Sequence, residues 1–275
     1  MSASGARTLR DVGLRVVGTL ATAILLALLA LPIAALVLHV PPARLIARMG
    51  DPAVLEALRL SLVTSLAATL AVVALGLPLA WLLATRRFPG RRLLEVIVDL
   101  PMVLPPTVAG LALLLALGRA GLAGHVLAAF GITLPFTTAA VVVAQIFMAA
   151  PFFIAPVRAG LAAVEPRYLD AAATLRADET YRFLHVTLPL SLPSVVAGVA
   201  MCCARALGEF GATITFAGNL PGVTQTMPLA VYMAFQTDLE AAVTLAVLLL
   251  VFSAALLLGL RLAPSWVRID AHRNH

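Results

Sequence analysis

The chain contains no lysine, and all 19 of its basic residues are arginines. A Walker A phosphate-binding loop requires a lysine, and so does a lysine Schiff base. Both are therefore excluded. If this protein uses the energy of ATP hydrolysis, another chain must carry the ATPase site, and we expect no catalytic residues in this one.

Charged residues are also scarce, at 12% of the chain, whereas hydrophobic residues make up 62% of it. A helix of a soluble protein needs a polar face, and most of the apolar runs here lack one. Several runs approach the roughly 20 residues with which an α-helix crosses a bilayer. The composition predicts an all-α polytopic membrane protein surrounded by membrane lipid. No nucleic-acid partner is expected, because the arginines mark loops and do not form one basic face.

Cysteine and histidine are too few and too scattered for a metal site. Cys202 and Cys203 are adjacent within an apolar run, a spacing that fits neither a zinc site nor an ordinary disulfide framework. The five histidines form no HExxH or similar pair. We expect inert buried thiols, no metal and no cofactor.

Six apolar runs predict six membrane spans within a single transmembrane domain, residues 1–275. The spans are expected near residues 15–39, 54–84, 93–118, 134–157, 190–217 and 240–262. The first run follows arginines, as a signal peptide does, but it is longer than a signal sequence's hydrophobic region and lacks a clear cleavage site. We interpret it as a retained helix. No convincing internal repeat is visible, which weakens the case for an inverted-repeat secondary transporter, although a repeat eroded beyond recognition stays open.

The arginines also predict the orientation, because loops that stay in the cytoplasm carry an excess of basic residues. With the N-terminus inside, the inner segments hold fourteen arginines: Arg7, Arg10, Arg15, Arg86, Arg87, Arg91, Arg92, Arg158, Arg167, Arg176, Arg182, Arg261, Arg268 and Arg273. The outer loops hold only Arg44, Arg48 and Arg119, while Arg59 and Arg205 fall within spans. Both termini are therefore expected in the cytoplasm.

The longest polar stretch follows the fourth span. A short helix is expected to begin at Pro166 and to end near Arg176, since proline suits the first helical position and the alanines between are strong helix formers. Asp178 can cap a second short helix. Extended backbone at residues 187–188 is expected to precede Pro189, which begins the next span. The two short helices, joined by a tight turn, would then lie at the membrane surface.

Composition alone leaves two interpretations of this stretch open. The small side chains of Ala171, Ala172 and Ala173 would allow close approach to the groove of a partner protein. An ordinary surface loop that only connects two spans would have a similar composition.

The spacing of the stretch resembles a family motif. Asp170-Ala171-Ala172, three residues, Arg176, nine residues and then Val186-Thr187-Leu188-Pro189 are similar to the EAA loop of binding-protein-dependent ABC importer permeases, E-A-A-x3-G-x9-I-x-L-P. The resemblance implies that residues 158–189 contain the coupling helix that enters a cleft of a cytoplasmic ATPase subunit. It assigns this coupling to Asp170, Ala171, Ala172, Arg176, Val186, Leu188 and Pro189.

Three positions differ from the motif, with Asp170 for Glu, Val186 for Ile and Arg176 for Gly. The first two changes are mild. A glycine can serve a turn with positive φ, a conformation that costs any other residue of order 1 kcal/mol. Arg176 is therefore expected to affect the geometry of the turn, or else to meet an acidic patch or the carbonyl end of the first helix.

The third span carries several prolines. Asp99, Pro101, Pro105 and Pro106 lie within it, and prolines remove backbone donors, so the helix must bend or break. Broken backbone is tolerated at membrane depth where it lines a wet cavity or is buried in protein. We place these four residues on the translocation path, with a merely kinked packing helix as the alternative.

The fifth span carries two opposite charges. Arg205 and Glu209 are expected one turn apart on the same helix face, and each lone charge near the bilayer centre costs about 2.5 to 3.5 kcal/mol. A structural ion pair is favoured over direct substrate contact, because Glu209 would repel an anion. Gly211, which allows close helix approach, and Thr213 are included in the expected path.

The stretch from RALGEFGATITFAGN to PGVTQTMPLAVY closely resembles molybdate-transport permeases, which share their architecture with sulfate permeases. The similarity covers about residues 54–262. It implies the type I permease fold of ABC importers, a second copy of the chain, two ATPase subunits, and an extracytoplasmic binding protein that delivers molybdate or tungstate for alternating-access import across the bacterial cytoplasmic membrane. Sulfate or thiosulfate stays open as the substrate.

Two other functional classes are weaker. A membrane-embedded enzyme would need a cluster of catalytic side chains at one depth, and none is visible beyond Arg205 and Glu209. An ion-coupled secondary carrier should show more carboxylates within its spans and no ATPase-docking loop.

Overall fold

The computed structural model describes the backbone of residues 3–271 and the side chains of residues 15–259. The two termini, whose cytoplasmic location is predicted above, and the side chains of the inner arginines Arg7, Arg10, Arg261, Arg268 and Arg273 lie outside the described residues. Within the described part the fold is helical and contains no strand. The all-α prediction is confirmed for this part.

In chain order the helices are α1 (Ala3–His39), α2 (Pro42–Met49), α3 (Pro52–Thr85), α4 (Arg91–Val103), α5 (Pro106–Leu117), α6 (Gly124–Ala129), α7 (Thr138–Ala162), α8 (Pro166–Thr174), α9 (Glu179–Arg182), a π-helix (Phe183–Thr187), α10 (Leu188–Leu207), α11 (Gly211–Phe216), α12 (Met227–Thr237) and α13 (Leu239–Ala271). Five helical segments are long and apolar enough to cross a membrane: α1, α3, α7, α13 and the run from Glu179 to Leu207. They correspond to the first, second, fourth and sixth predicted spans and to residues 190–207 of the fifth.

Side-chain caps set the starts of two long helices. Asp51 accepts a hydrogen bond from the N–H of Ala53 at 3.0 Å before α3, and Thr137 accepts one from the N–H of Ala140 at 3.2 Å before α7. Each bond satisfies a backbone donor that the first turn of a helix leaves free. Pro52, the first residue of α3, has the fixed φ that suits that position.

The helices α3, α7 and α10 form the centre of the fold. A Cβ on Gly160 of α7 would overlap the Cβ of Ser194 on α10, and a Cβ on Gly198 of α10 would lie 3.0 Å from Val157 of α7. Small residues allow this close packing, which holds helices together where lipid weakens the hydrophobic effect. The core between these helices contains Ala68, Val72, Leu83, Ala149, Phe153, Val157, Cys202 and Ala206.

Two smaller clusters extend the core at its sides. One joins α5, α7 and α11 around Leu113, Met148 and Phe216. The other joins α3, α12 and α13 around Met227 and Leu248. The helix α12 was not predicted, because its 11 residues are too few to read as a span.

The third predicted span is broken, as its prolines indicated. α4 ends at Val103, Leu104 and Pro105 are extended, and α5 begins at Pro106. The residue before a proline avoids the helical conformation, and Pro105 has no N–H to continue the ladder. Pro101 stays inside α4. The 13 residues of α4 and the 12 of α5 together cover most of the stretch predicted as one span near 93–118.

The fifth predicted span is also interrupted, which corrects the expectation that Arg205 and Glu209 share one helix. α10 ends at Leu207, and α11 begins at Gly211, so Glu209 belongs to neither helix. The carboxylate of Glu209 accepts a hydrogen bond from the N–H of Ala212 at 2.8 Å. A side chain that caps a new helix in this way competes with continuation of the old one, and Gly208 is a poor helix former.

The expectation of extended backbone at Thr187 and Leu188 was wrong. Both residues are helical, with φ and ψ of −67° and −50° for Thr187, and the N–H of Leu188 bonds the carbonyl of Phe183 in a π-turn. Pro189 cannot donate to the carbonyl of His185 and would clash with it in a regular α-helix. The wider π-turn accommodates the proline. The second short helix therefore continues into α10 and is not a separate element.

Candidate functional site

The first helix of the polar segment, defined as residues 158–189, ends in a left-handed turn. α8 ends at Thr174, and Arg176 has φ of 59°. The N–H of Arg176 donates to the carbonyl of Ala173 at 3.0 Å, and the N–H of Ala177 donates to that of Ala172 at 3.2 Å. This is the Schellman arrangement, whose left-handed position usually holds glycine. Arg176 therefore adopts the positive φ that glycine usually adopts at this position of the turn.

The tip of the polar segment carries small and apolar side chains. Ala171 is exposed, Ala172 is half-buried, and Leu175 is 83% exposed. Asp170 and Arg176 flank this surface and are also exposed, and Arg176 forms no ion pair with any described carboxylate.

The far end of the polar segment is anchored to α3. Arg86, which follows α3, forms an ion pair with Glu179, the first residue of α9, at 2.5 Å. The rings of Trp81 on α3 and Phe183 in the π-helix lie with their centroids 4.7 Å apart. Asp178 caps α9, as predicted, by accepting from the N–H of Tyr181 at 2.6 Å.

The remaining predicted coupling residues lie where this anchored part joins α10. Val186 is half-buried in the π-helix, Leu188 is the half-buried first residue of α10, and Pro189 is exposed. Thr187 between them is buried. These residues therefore belong to one helical run with the span that follows, whereas the tip belongs to α8 and the turn after it.

The two interrupted spans pack against each other just beyond their breaks. A Cβ on Gly211 of α11 would lie 2.6 Å from the Cβ of Pro106 on α5. A Cβ on Gly110 of α5 would lie 2.7 Å from the carbonyl oxygen of Ala212. α5 and α11 are therefore in backbone contact, and the structure brings together Pro106 and Gly211, which were predicted separately.

Arg205 and Glu209 form an ion pair despite the interruption between them. A guanidinium nitrogen of Arg205 lies 2.6 Å from a carboxylate oxygen of Glu209. The Glu209 side chain is fully buried, whereas that of Arg205 is 23% exposed. Glu209 thus neutralises Arg205 and fixes the start of α11 through Ala212. The guanidinium carries five donors, and the side chain of Arg205 keeps partial access to solvent.

The other predicted path residues are not joined to this pair. Asp99 is half-buried on α4 and makes no hydrogen bond or ion pair with the described residues, and Pro101 is buried in the last turn of that helix. Pro105 is exposed at the break. Thr213 is buried in α11, and its hydroxyl finds no hydrogen-bond partner among the described residues.

Several anchoring residues were missed by sequence reasoning. Arg86 and Glu179 are 93 positions apart, and nothing in a single sequence pairs them. Glu95 of α4 is a similar case, because it binds Arg91 at 3.0 Å on its own helix and Arg158 of α7 at 3.3 Å. Only the spacing of Arg91 and Glu95, four apart on one helix, could have been read from the sequence.

Comparison with known proteins places the chain among transport components. The family described as binding-protein-dependent transport system inner membrane component matches residues 73–263. The molybdenum transport system permease protein ModB of Mycobacterium tuberculosis is 45% identical over 230 residues, which are 84% of this chain and 87% of that protein. The sulfate transport system permease protein CysT of Escherichia coli is 36% identical over 242 residues, 86% of this chain and 87% of that one. A solved bacterial ABC transporter involved in the import of alginate shares the fold, with a TM-score of 0.72 over 92% of this chain and 96% of that chain at 15% identity.

Proposed function

This chain belongs to the family of binding-protein-dependent transport system inner membrane components, and we propose that it is the permease subunit of an ATP-driven importer of molybdate or the similar tetrahedral dianion tungstate. The observation that carries the proposal is 45% identity, over 84% of the chain, to a permease named for molybdenum transport. The chain is a multi-pass membrane protein, with five helices that are long and apolar enough to cross a bilayer.

The proposed topology is a single transmembrane domain with six spans and cytoplasmic termini. α4 and α5 together make the third span, because neither reaches the roughly 20 residues that a bilayer requires. The arginine excess supports the orientation, since the turn after α3 and the polar segment both lie on the arginine-rich side.

The proposed assembly contains two copies of this chain, two cytoplasmic ATPase subunits and an extracytoplasmic oxyanion-binding protein. The dependence of the family on a binding protein supports the last partner. The absence of lysine supports a separate ATPase, because the chain has no Walker A loop. We therefore expect the purified chain alone to hydrolyse no ATP.

The tip of the polar segment is the proposed docking point for the ATPase. Its exposed Leu175 and small Ala171 and Ala172 suit insertion into a cleft, and the Schellman turn at Arg176 holds them in a compact shape. Because α9 continues through the π-helix into α10, a push on the tip reaches a membrane span through only the short turn at residues 175–178.

Substitution at the tip tests this docking. Ala171→Trp adds a bulky side chain to an exposed position, so the chain should still insert and fold, while its affinity for the ATPase should fall because overpacking commonly costs 1 to 3 kcal/mol. Ala129→Trp, at another exposed alanine of a short helix, is the control. Unchanged ATPase binding and substrate-stimulated hydrolysis in Ala171→Trp would mean that the segment only connects two spans.

The proposed translocation path follows the two interrupted spans. It includes Asp99, Pro101, Pro105, Pro106, Arg205, Glu209, Gly211 and Thr213. The breaks support this placement, because irregular backbone at membrane depth must be buried in protein or line a cavity. Alternating access then requires the contact between α5 and α11 to shift relative to the rest of the core as the ATPase opens and closes.

Sulfate is the second candidate substrate, because CysT of Escherichia coli is 36% identical over 86% of the chain. The test is uptake of radiolabelled molybdate and sulfate into proteoliposomes that contain the permease, its ATPase and the solute-binding protein encoded beside it. We expect molybdate uptake that requires ATP and that excess tungstate suppresses more strongly than excess sulfate. Preferential suppression by sulfate would assign the chain to sulfate transport.

A further inference from the structure

Two arginines at the turn between α3 and α4 have no carboxylate partner in the described part of the chain. Arg86 and Arg91, at the same turn, pair with Glu179 and Glu95. Arg87 and Arg92 are exposed and form no such pair. A cleft of about 470 Å³ is lined by Arg87, Phe88, Gly90, Arg91, Arg92 and Glu95. The cleft therefore has an excess of positive charge.

An apolar stripe continues from this cleft along α4. Leu93, Val96, Ile97 and Leu100 are 65%, 59%, 55% and 47% exposed. Their spacing of three and four residues places them on one face of the helix, over about 10 Å of its length. Arg92 lies one turn before Val96, so the basic cleft and the stripe adjoin.

We propose that the cleft binds the headgroup of an anionic phospholipid whose acyl chains lie along the α4 stripe. Guanidinium groups bind phosphate oxygens through paired hydrogen bonds, and the cytoplasmic leaflet attracts basic residues beside membrane spans. A soluble acidic partner would satisfy the arginines and leave the stripe uncovered. A second copy of this chain, with net charge +6, offers poor charge complementarity to a basic cleft.

The bound lipid would adjoin the contact that anchors the polar segment. A guanidinium nitrogen of Arg91 donates to the carbonyl oxygen of Arg86 at 3.4 Å, and Arg86 pairs with Glu179. Lipid at the cleft therefore stiffens the end of α3 to which α9 is attached. This effect on coupling rests on the proposed function, whereas the lipid site requires only that the chain lies in a membrane.

Lipid binding is measured first, without reference to transport. The purified complex in detergent is titrated with phosphatidylglycerol or phosphatidylcholine, and bound lipid is counted by native mass spectrometry. We expect Arg87→Gln with Arg92→Gln to weaken phosphatidylglycerol binding by about fivefold for each arginine, with little change for phosphatidylcholine. Arg119→Gln removes an exposed arginine at another turn and is the control. Glycerol phosphate, which lacks acyl chains, should not displace the lipid.

Unchanged phosphatidylglycerol binding in the double variant would overturn the proposal. So would displacement by glycerol phosphate, which would make the cleft a site for a free anion. A third contradicting result is that, in pure phosphatidylcholine, the double variant loses association with the ATPase or the second copy while the unmodified chain keeps it, which would make the cleft a protein interface. In a second arm, nanodiscs with and without phosphatidylglycerol compare substrate-stimulated ATP hydrolysis. Normal lipid binding with no stimulated hydrolysis in any lipid would count against the proposed importer and leave the lipid site standing.

Discussion

Arg86 at the end of α3 and Glu179 at the start of α9 form an ion pair that joins elements 93 positions apart in the sequence. The nearby contact between Trp81 and Phe183 joins the same two elements. The polar segment, whose first residues lie in α7, is therefore connected to the membrane core along α7, along α10 and sideways to α3. In the proposed function, a displacement of its tip acts on these helices.

Charge reversal tests the sideways connection. Arg86→Glu should lower substrate-stimulated ATP hydrolysis by the assembled complex, because two carboxylates would repel α9 from α3. The melting temperature should change little, since exposed ion pairs contribute at most about 1 kcal/mol. The exchanged pair, Arg86→Glu with Glu179→Arg, should recover hydrolysis. Arg48→Glu, which reverses one charge of another exposed pair, is the control. Failure of the exchange to recover hydrolysis would contradict the connection.

The left-handed turn at Arg176 gives a prediction about backbone strain. Arg176→Gly should stabilise the turn by up to about 1 kcal/mol, because glycine adopts positive φ without a steric penalty. Arg176→Ala should not, since alanine keeps the Cβ. Thermal unfolding of the two variants in detergent separates these outcomes. In the ATPase complex, a salt-sensitive loss of affinity common to both variants would show that the arginine makes an ionic contact across the interface.

Local chemistry explains which breaks could be predicted from the sequence. The break in the third span follows from Pro105 and Pro106, which act on their immediate neighbours. The break after Leu207 depends on whether the Glu209 carboxylate accepts a hydrogen bond from Ala212. Without that bond, the same residues could equally have continued the helix, with Arg205 and Glu209 on one face. The π-turn before Pro189 was missed because a proline after a short helix usually indicates an extended connection.

The candidate site likewise combines features that could be predicted from the sequence with contacts that could not. The residues of the polar segment predicted its tight turn and its capping aspartate, because both features are local. The resemblance to the EAA loop, which has glycine at this position, indicated the unusual backbone of Arg176. The contacts that give the site its mechanical setting, Arg86 with Glu179 and Pro106 with Gly211, join distant parts of the chain. They follow from helix packing, which one sequence does not specify.

The contact between Gly160 and Ser194 predicts that the α7–α10 packing is intolerant of added volume. Gly160→Ala should destabilise the fold by about 1 to 3 kcal/mol, because the new Cβ would overlap Ser194. Gly18→Ala, where no atom lies within 4 Å, should be neutral or slightly stabilising. Combining Gly160→Ala with Ser194→Gly should restore much of the melting temperature. Equal effects of Gly160→Ala and Gly18→Ala would show that the two helices do not pack this closely.

The pair of Arg205 and Glu209 gives a prediction that separates folding from transport. Arg205→Ala leaves a fully buried carboxylate without its counter-charge, and breaking a buried pair costs about 3 to 5 kcal/mol. Glu209→Gln should cost less, because its amide oxygen can still accept from Ala212 and the partly exposed arginine can turn towards water. The double variant, Arg205→Ala with Glu209→Gln, should therefore be more stable than Arg205→Ala alone, as measured by thermal unfolding.

Molybdate uptake by the stable variants then shows whether Arg205 also contacts the transported oxyanion. Since Glu209→Gln keeps the guanidinium and releases it from its carboxylate, it should retain molybdate uptake if Arg205 contacts the oxyanion during passage. The double variant should fold but lose uptake, because no cationic donor is left at the interruption between α10 and α11. If the double variant transports as well as Glu209→Gln does, Arg205 is only a structural ion partner and the path does not use its charge. If the double variant loses as much stability as the two single variants lose together, the two side chains do not compensate each other. The ion pair is then not what stabilises this break.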